Sequence, residues 1–285
     1  MVKKVSYIDE IIGEYNYGKY INVREEKIKE IIDFHNNNCY FKNYEEFDWE
    51  DSTFWLEKNK YNLEEISDFF TIGNSINFKY WHLGDSEIIY CNGKKGGVEL
   101  KGAKYMWRCL KIAVEKNIFP VLNPKELINI TEDDFKNICK GDNNSLPLFM
   151  LKNERIRNLK DLGKKLNNNW KNHFINLLDS TNGSLKDYVK KCKKFRAFDD
   201  ELMKLSMVNA ILHSGKNIYK FNSSIVPGID YQLMKQMMRI GGIIPKKEIL
   251  MKLKKKRLLK KDEALEIRYA TLYIFNEIIK KTGIS

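Results

Sequence analysis

The sequence predicts a mainly α-helical protein, a helical bundle with one small β insert near residues 76–101. Three observations carry this expectation. Apolar residues recur at helical spacing through most of the chain. Polar cap residues and glycines punctuate those runs. Aromatic and β-branched residues broken by Gly84, Gly93, Gly96 and Gly97 are concentrated in "SINFKYWHLGDSEIIYCNGKKGGVELKG", which reads as a hairpin or meander. With 285 residues, 43% of them apolar, the chain can bury a substantial core.

The elements follow in order. "EEKIKEIIDF" places Ile28, Ile31 and Ile32 on one helical face, and "NLEEISDFF" opens with Asn62 as a candidate N-cap. After the β insert, "AKYMWRCLKIAVEKN" aligns Met106, Leu110 and Val114. "TEDDFKNICKG" begins with Thr131 as cap, has acids in its first turn and stops at Gly141. "NERIRNLKDLGKKLNNNW" and "DDELMKLSMVNAILHSG" follow the same grammar, the latter with Asp199 or Asp200 as cap and Gly215 as terminator. "DEALEIRYATLYIFNEIIKK" ends on lysines suited to a helix C-terminus. The "GKKGG" of the insert lacks the spacing of a P-loop. The tryptophans read as core, Trp81 excepted.

Several classes are set aside. No apolar run reaches the eighteen or so residues of a membrane helix, and the N-terminus reads as carrying no signal peptide. Five cysteines stand singly without a CxxC, which points to reduced thiols in a cytoplasmic compartment. Four scattered histidines propose no metal site, and no cofactor or obligate protein partner is expected.

Charge is unevenly spread. Residues 1–70 hold 9 Lys/Arg against 16 Asp/Glu, a net of −7, whereas residues 146–285 hold 30 against 13, a net of +17. The chain therefore divides by composition into an acidic helical segment, 1–70, and a basic unit, 71–285. Two clusters stand out as a possible polyanion surface: Lys190, Lys191, Lys193 and Lys194, then Lys254, Lys255, Lys256 and Arg257. The second, in "KLKKKRLLKK", also reads as a solvated helix face.

Asp230 is the sharpest single feature. It follows the Pro227–Gly228 turn and opens the Met-rich run "YQLMKQMMR", so it is an N-cap or a catalytic group. A carboxylate there faces unpaired amides and the positive end of the helix dipole, which favour its ionised form. Such a group can activate water or stabilise the cation that builds on a sugar when its bond to a base breaks. Lys204, in "ELMKLSM", either snorkels to solvent or serves as a desolvated amine nucleophile.

The run "VPGIDYQLMKQMMRIGG" resembles the Gly/Pro-rich loop and following Asp of the helix-hairpin-helix DNA glycosylase superfamily, archaeal 8-oxoguanine glycosylases in particular. The lyase members place a helix lysine a few tens of residues earlier, and Lys204 precedes Asp230 by 26. Over roughly residues 70–280 the chain is similar to the queuosine salvage proteins, which release queuine from its nucleotide. That similarity runs through "NFKYW", "GVELKGAKYMWRCLKIAVEKNI", "ITEDDFKNICKGDNNSLPLFMLKNERIRNLKDLGKKL", Lys204, "IDYQ" and "LEIRYATLYIFNEI".

The resemblance implies a helix-hairpin-helix glycosylase-like core in 71–285 with Asp230 as catalytic carboxylate. It puts Phe78, Trp81 and Tyr231 close to the base, and Asn77, Asp199, Glu266 and Arg268 with them in substrate binding. The salvage family has an aromatic residue two positions before this Asp and an Arg soon after the Tyr, where this chain has Gly228 and Gln232.

Two enzymes are therefore expected, with the charge asymmetry favouring the first. One is a DNA glycosylase, for repair or defence, that flips a modified base into an aromatic pocket, with Lys204 as nucleophile or phosphate ligand. The other is a queuosine 5′-phosphate N-glycosylase, with Lys204 meeting the phosphate. A third reading is a catalytically inactive nucleic-acid binder.

Overall fold

The computed structural model describes residues 7–13, 18–37, 48–83, 88–142 and 152–283. Among them it is mainly helical, with three two-stranded antiparallel sheets. Packing groups residues 1–46 with 222–285 as one unit and residues 47–221 as another. The division by charge at residue 70 is of a different kind: it falls inside a continuous helix, Leu63–Ser75.

In chain order the elements are α1 (Tyr7–Gly13), β1 (Ile21–Val23), α2 (Glu25–Asn37), α3 (Leu63–Ser75), β2 (Trp81–Leu83), β3 (Ile88–Tyr90), β4 (Asn92–Lys95) and β5 (Val98–Lys101). There follow α4 (Gly102–Glu115), α5 (Pro124–Leu127), α6 (Glu132–Cys139), α7 (Lys152–Asn169), α8 (Phe174–Asp179), α9 (Leu185–Cys192) and α10 (Lys204–Gly215). The chain closes with α11 (Tyr231–Arg239), β6 (Ile243–Pro245), α12 (Lys247–Lys254) and α13 (Lys261–Thr282). No helix among the described residues is long and apolar enough to cross a membrane.

The unit of residues 47–221 is built around α3. Asn62 and Glu65 form a reciprocal capping box at its start, satisfying backbone amides that a helix leaves open. Its apolar side meets Trp55 and Trp107, with ring centroids 5.5 Å apart for Trp55–Phe70, 5.3 Å for Trp55–Trp107 and 5.4 Å for Phe69–Trp107. Trp107 can approach this closely because residue 73 is glycine; a Cβ there would lie 2.1 Å from the indole. The expected β insert is present as two hairpins, β2–β3 and β4–β5. The second runs into α4 through Gly102, whose φ of 55° is a left-handed conformation that favours glycine. Thr131 and Asp134 make the capping box expected of α6.

The other face of α3 is polar yet buried, and α10 covers part of it. His213 of α10 is fully buried, with Nδ1 2.7 Å from the Asn209 carbonyl and Nε2 2.9 Å from the Ser67 hydroxyl. A carbonyl only accepts, so Nδ1 carries the proton and Nε2 accepts from Ser67: the imidazole is neutral. Burial pushes its pKa down to about 4. A depressed histidine adds stability that is full above the unfolded value near 6.5 and is lost as pH falls from there towards 4, roughly 3 kcal/mol in all. Urea midpoints are expected to drop between pH 7 and pH 4.5 in the wild type and markedly less in His213→Gln.

The unit of residues 1–46 and 222–285 is organised by α13, against which α1, α2 and α11 pack. Its sheet joins two three-residue strands far apart in sequence, with Ile21 opposite Pro245 and Val23 opposite Ile243. Glu266, on α13, is buried, and its Oε1 accepts from the amides of Gly18 at 3.1 Å, Tyr20 at 2.9 Å and Ile21 at 3.1 Å. One carboxylate oxygen thereby sets the path of the chain into β1.

Two local expectations are corrected. Neither Asp199 nor Asp200 is the N-cap of α10: Met203 holds that position at φ 55°, and Lys204 is the first helical residue. Asp200 Oδ2 accepts from the Lys204 amide at 2.8 Å, capping from one turn further back. "KLKKKRLLKK" is helical only in part, since α12 ends at Lys254 and residues 255–260 form the connection to α13.

Candidate active site

Asp230 closes an extended segment pinned by buried Val226 and Ile229. Its backbone is extended, φ −123° and ψ 179°, the geometry of an N-cap, and its carboxylate turns back over the first turn of α11. Both capping bonds fall on Oδ1, from Gln232 N at 2.9 Å and Leu233 N at 3.1 Å. Oδ2 receives no hydrogen bond among the described residues. The side chain is half-buried. One oxygen is thus clamped, so the cap orients the carboxylate through Oδ1 alone.

Two neighbours belong to the same constellation. Arg268, two residues after Glu266 on α13, donates Nη2 to the Ile229 carbonyl at 3.4 Å, the peptide next to Asp230. Tyr231 is 39% exposed; Gln232 Nε2 donates to its hydroxyl at 3.2 Å, and Lys235 Nζ lies 5.3 Å from its ring centroid. Met234 and Met237 point the opposite way, into the core, so α11 shows its aromatic and polar groups outward. The structure therefore groups Asp230, Tyr231 and Arg268, and bonds Glu266 to the amides of Gly18, Tyr20 and Ile21.

A second constellation lies in the unit of residues 47–221. Asn77 Oδ1 accepts from the Tyr80 hydroxyl at 3.0 Å, and Asn77 Nδ2 donates to Asn74 Oδ1 at 3.2 Å. Asn74 Nδ2 in turn donates to the Leu205 carbonyl at 2.5 Å, in the first turn of α10. The chain of bonds links Asn77 to the residue after Lys204. Phe78 and Trp81 are half-buried beside it, and Lys79 Nζ lies 5.9 Å from the Trp81 ring. Asp199 is exposed and follows a short 3-10 turn, Arg196–Phe198.

Sequence reasoning missed Arg155, which is 2% exposed and organises this segment. The signal was present: Arg155, Leu159, Leu162 and Leu166 share one buried stripe of α7, and a charge on an apolar stripe asks for partners.

The lysine clusters are less uniform than their sequence. Lys190 and Lys194 are exposed, but Lys191 donates to the Ser180 carbonyl and hydroxyl at 2.7 Å each and lies 5.6 Å from the Trp170 ring. Lys193 is half-buried at the end of α9. Lys254, Lys255, Lys256 and Arg257 are all exposed, and they belong to the other unit. Among the described residues no group of three His, Cys, Asp or Glu side chains is placed to hold a metal ion.

A family model described as queuosine salvage protein matches residues 56–283, which include every residue of both constellations. No curated protein matches the chain.

Proposed function

The chain belongs to the queuosine salvage protein family, and from that membership we propose that it is an N-glycosylase that hydrolyses the base–sugar bond of a queuosine nucleotide. The observation that carries this reading is the Asp230 carboxylate, whose two capping bonds both fall on Oδ1, with none on Oδ2 among the described residues. As the bond to the base lengthens, positive charge grows at the anomeric carbon, and an oriented carboxylate stabilises it. A water molecule adds its oxygen to that carbon and passes a proton to Asp230 Oδ2. The base leaves with the bonding electron pair and takes up a proton. The Arg268–Ile229 bond keeps the approach to Asp230 in place, and Tyr231 offers an exposed ring to a planar base.

The DNA glycosylase reading rested on charge and on the altered residues beside Asp230, Gly228 and Gln232. Family membership supports a small modified nucleotide instead, and one of the clustered lysines, Lys191, is engaged in internal bonds. Gly228 and Gln232, where the family has an aromatic residue and an Arg, bear on the shape of the base pocket and leave the carboxylate chemistry unchanged.

Mass spectrometry of the products separates the substrates. Free queuine is expected from queuosine 5′-phosphate, and no free base from duplex DNA carrying modified bases. Hydrolysis by water needs no amine nucleophile, so borohydride added during turnover is expected to trap no adduct on Lys204. A borohydride-stable adduct there, or a base freed from DNA alone, would reverse the assignment.

A further inference from the structure

Residues 246–261 carry nine Lys/Arg against a single acid, Glu248. They form α12 and the connection to α13. Ile249 is the buried residue of α12, and the face opposite it, at the spacing i, i+3, i+4, i+7, is Lys247, Leu250, Met251 and Lys254. Leu250 is 40% exposed and Met251 48%, so an apolar pair lies open to water between two lysines. The connection extends the pattern. Lys256 takes the left-handed conformation, φ 52°, and Arg257 N donates to the Lys252 carbonyl at 2.9 Å, closing α12 with a lysine where glycine is favoured. Leu258, just beyond that turn, is 70% exposed.

The charges here are not spent on one another. Lys252 is engaged, bonded to Glu263 and 3.2 Å from Glu248. Lys247, Lys254, Lys255, Lys256, Arg257 and Lys261 are exposed and make no ion pair among the described residues. Met251, Lys255 and Arg257 line one cavity of about 180 Å³ with Glu248 and Lys252, so apolar and cationic groups are neighbours in space as well as in sequence. Cations near a helix C-terminus suit its dipole, which accounts for lysines on a solvated face. It does not account for the apolar side chains. Exposed apolar residues standing singly are ordinary, but three within nine residues, set among unpaired cations, mark an interaction surface.

The cations fit an anionic partner, and the leucines select which one. A nucleic-acid backbone supplies charge but no apolar phase. A groove for an acidic peptide would line itself with its apolar groups, whereas Leu258 projects from the protein with most of its surface in water. An anionic bilayer supplies both halves: headgroup phosphates at the level to which lysines snorkel, and acyl chains just beneath.

We propose that α12 and the connection after it dock on anionic phospholipid bilayers. Leu250, Met251 and Leu258 enter the acyl boundary, and Lys247, Lys254, Lys255, Lys256 and Arg257 meet headgroup phosphates. The chain lies on the bilayer and does not cross it. The docking requires no part of the chemistry at Asp230.

The test is sedimentation of the full chain with vesicles of phosphatidylcholine, alone or mixed with phosphatidylglycerol, with urea melts on each variant. Affinity for the mixed vesicles is expected to exceed that for phosphatidylcholine by about tenfold or more and to fall as salt is raised. A cation near an anionic bilayer is worth about fivefold, so Lys254→Gln, Lys255→Gln, Lys256→Gln and Arg257→Gln together are expected to lower that affinity about a hundredfold or more. Leu250→Gln with Leu258→Gln keeps every charge and is expected to lower it about tenfold. All these positions are exposed, so the variants are expected to melt as the wild type does. Absence of sedimentation with the mixed vesicles overturns the proposal. So does a leucine variant that binds them as the wild type does, since charge alone would then hold the protein there. Duplex DNA, a folded RNA or polyglutamate that binds more tightly than the mixed vesicles at the same salt, and loses that binding in the four-cation variant, overturns it as well and makes that polymer the partner.

Discussion

Asp230→Asn is expected to lower the rate of queuine release by about 10²–10⁴-fold while leaving the protein folded. Both halves of that expectation come from one side chain. Asparagine caps helices as well as aspartate does, and its carbonyl oxygen can accept from Gln232 N and Leu233 N as Oδ1 does. Unfolding free energy is therefore expected to change by less than about 1 kcal/mol. Asparagine has no negative charge for the developing cation and cannot take a proton from water, so the chemical step suffers alone. Asp230→Ala removes the cap as well and is expected to cost about 1 kcal/mol of stability in addition. Initial rates by mass spectrometry, with urea melts of the three proteins, separate the two roles. Were Asp230→Asn to keep a tenth or more of wild-type activity, Asp230 would be an N-cap and nothing else.

Glu266→Ala is expected to be the most destabilising single change in its unit, by about 3–5 kcal/mol. Oε1 receives three amides, from Gly18, Tyr20 and Ile21, and the carboxylate is buried. Truncation leaves those donors with no acceptor where water has little access, and a buried donor without a partner loses its full solvation. Glu266→Gln keeps the acceptor oxygen and gives up only the charge assistance, so it is expected to lose about 1–2 kcal/mol and to retain wild-type KM. Equilibrium unfolding in urea measures the first pair of values and steady-state kinetics the last. A folded Glu266→Gln with sharply raised KM would give Glu266 a part in substrate binding as well.

The helices and their caps were legible because their causes are local. Asn62 with Glu65 and Thr131 with Asp134 are side chains satisfying amides three residues away, and a three-residue pattern is visible in any sequence. The β insert was legible for the same reason, since both hairpins close within a few residues. What escaped depends on distant parts of the chain. β1 and β6 are three residues each and owe their pairing to α13, which no window over either strand contains. Met203 defeated the capping rule at α10, where the left-handed residue sits between Asp200 and the amide that Asp200 caps.

The candidate site divides along the same line. Asp230 could be read from the Pro-Gly turn and the Met-rich run that follow one another in sequence. Glu266 could not be told from Arg268 by a motif containing both, and only the fold shows one beneath β1 and the other against the Ile229 carbonyl. Net charge was the least faithful guide. It counts Lys191 the same as Lys194, although one is bound to Ser180 and the other is exposed.

The central claim is that this chain frees a base from a queuosine nucleotide by hydrolysis at Asp230. Its most direct test is to incubate the purified protein with queuosine 5′-phosphate and weigh the products. Queuine and ribose 5-phosphate in equal amounts, absent with Asp230→Asn, are the expected result. Intact nucleotide after prolonged incubation with a folded wild-type protein, or equal release by Asp230→Asn, would contradict it.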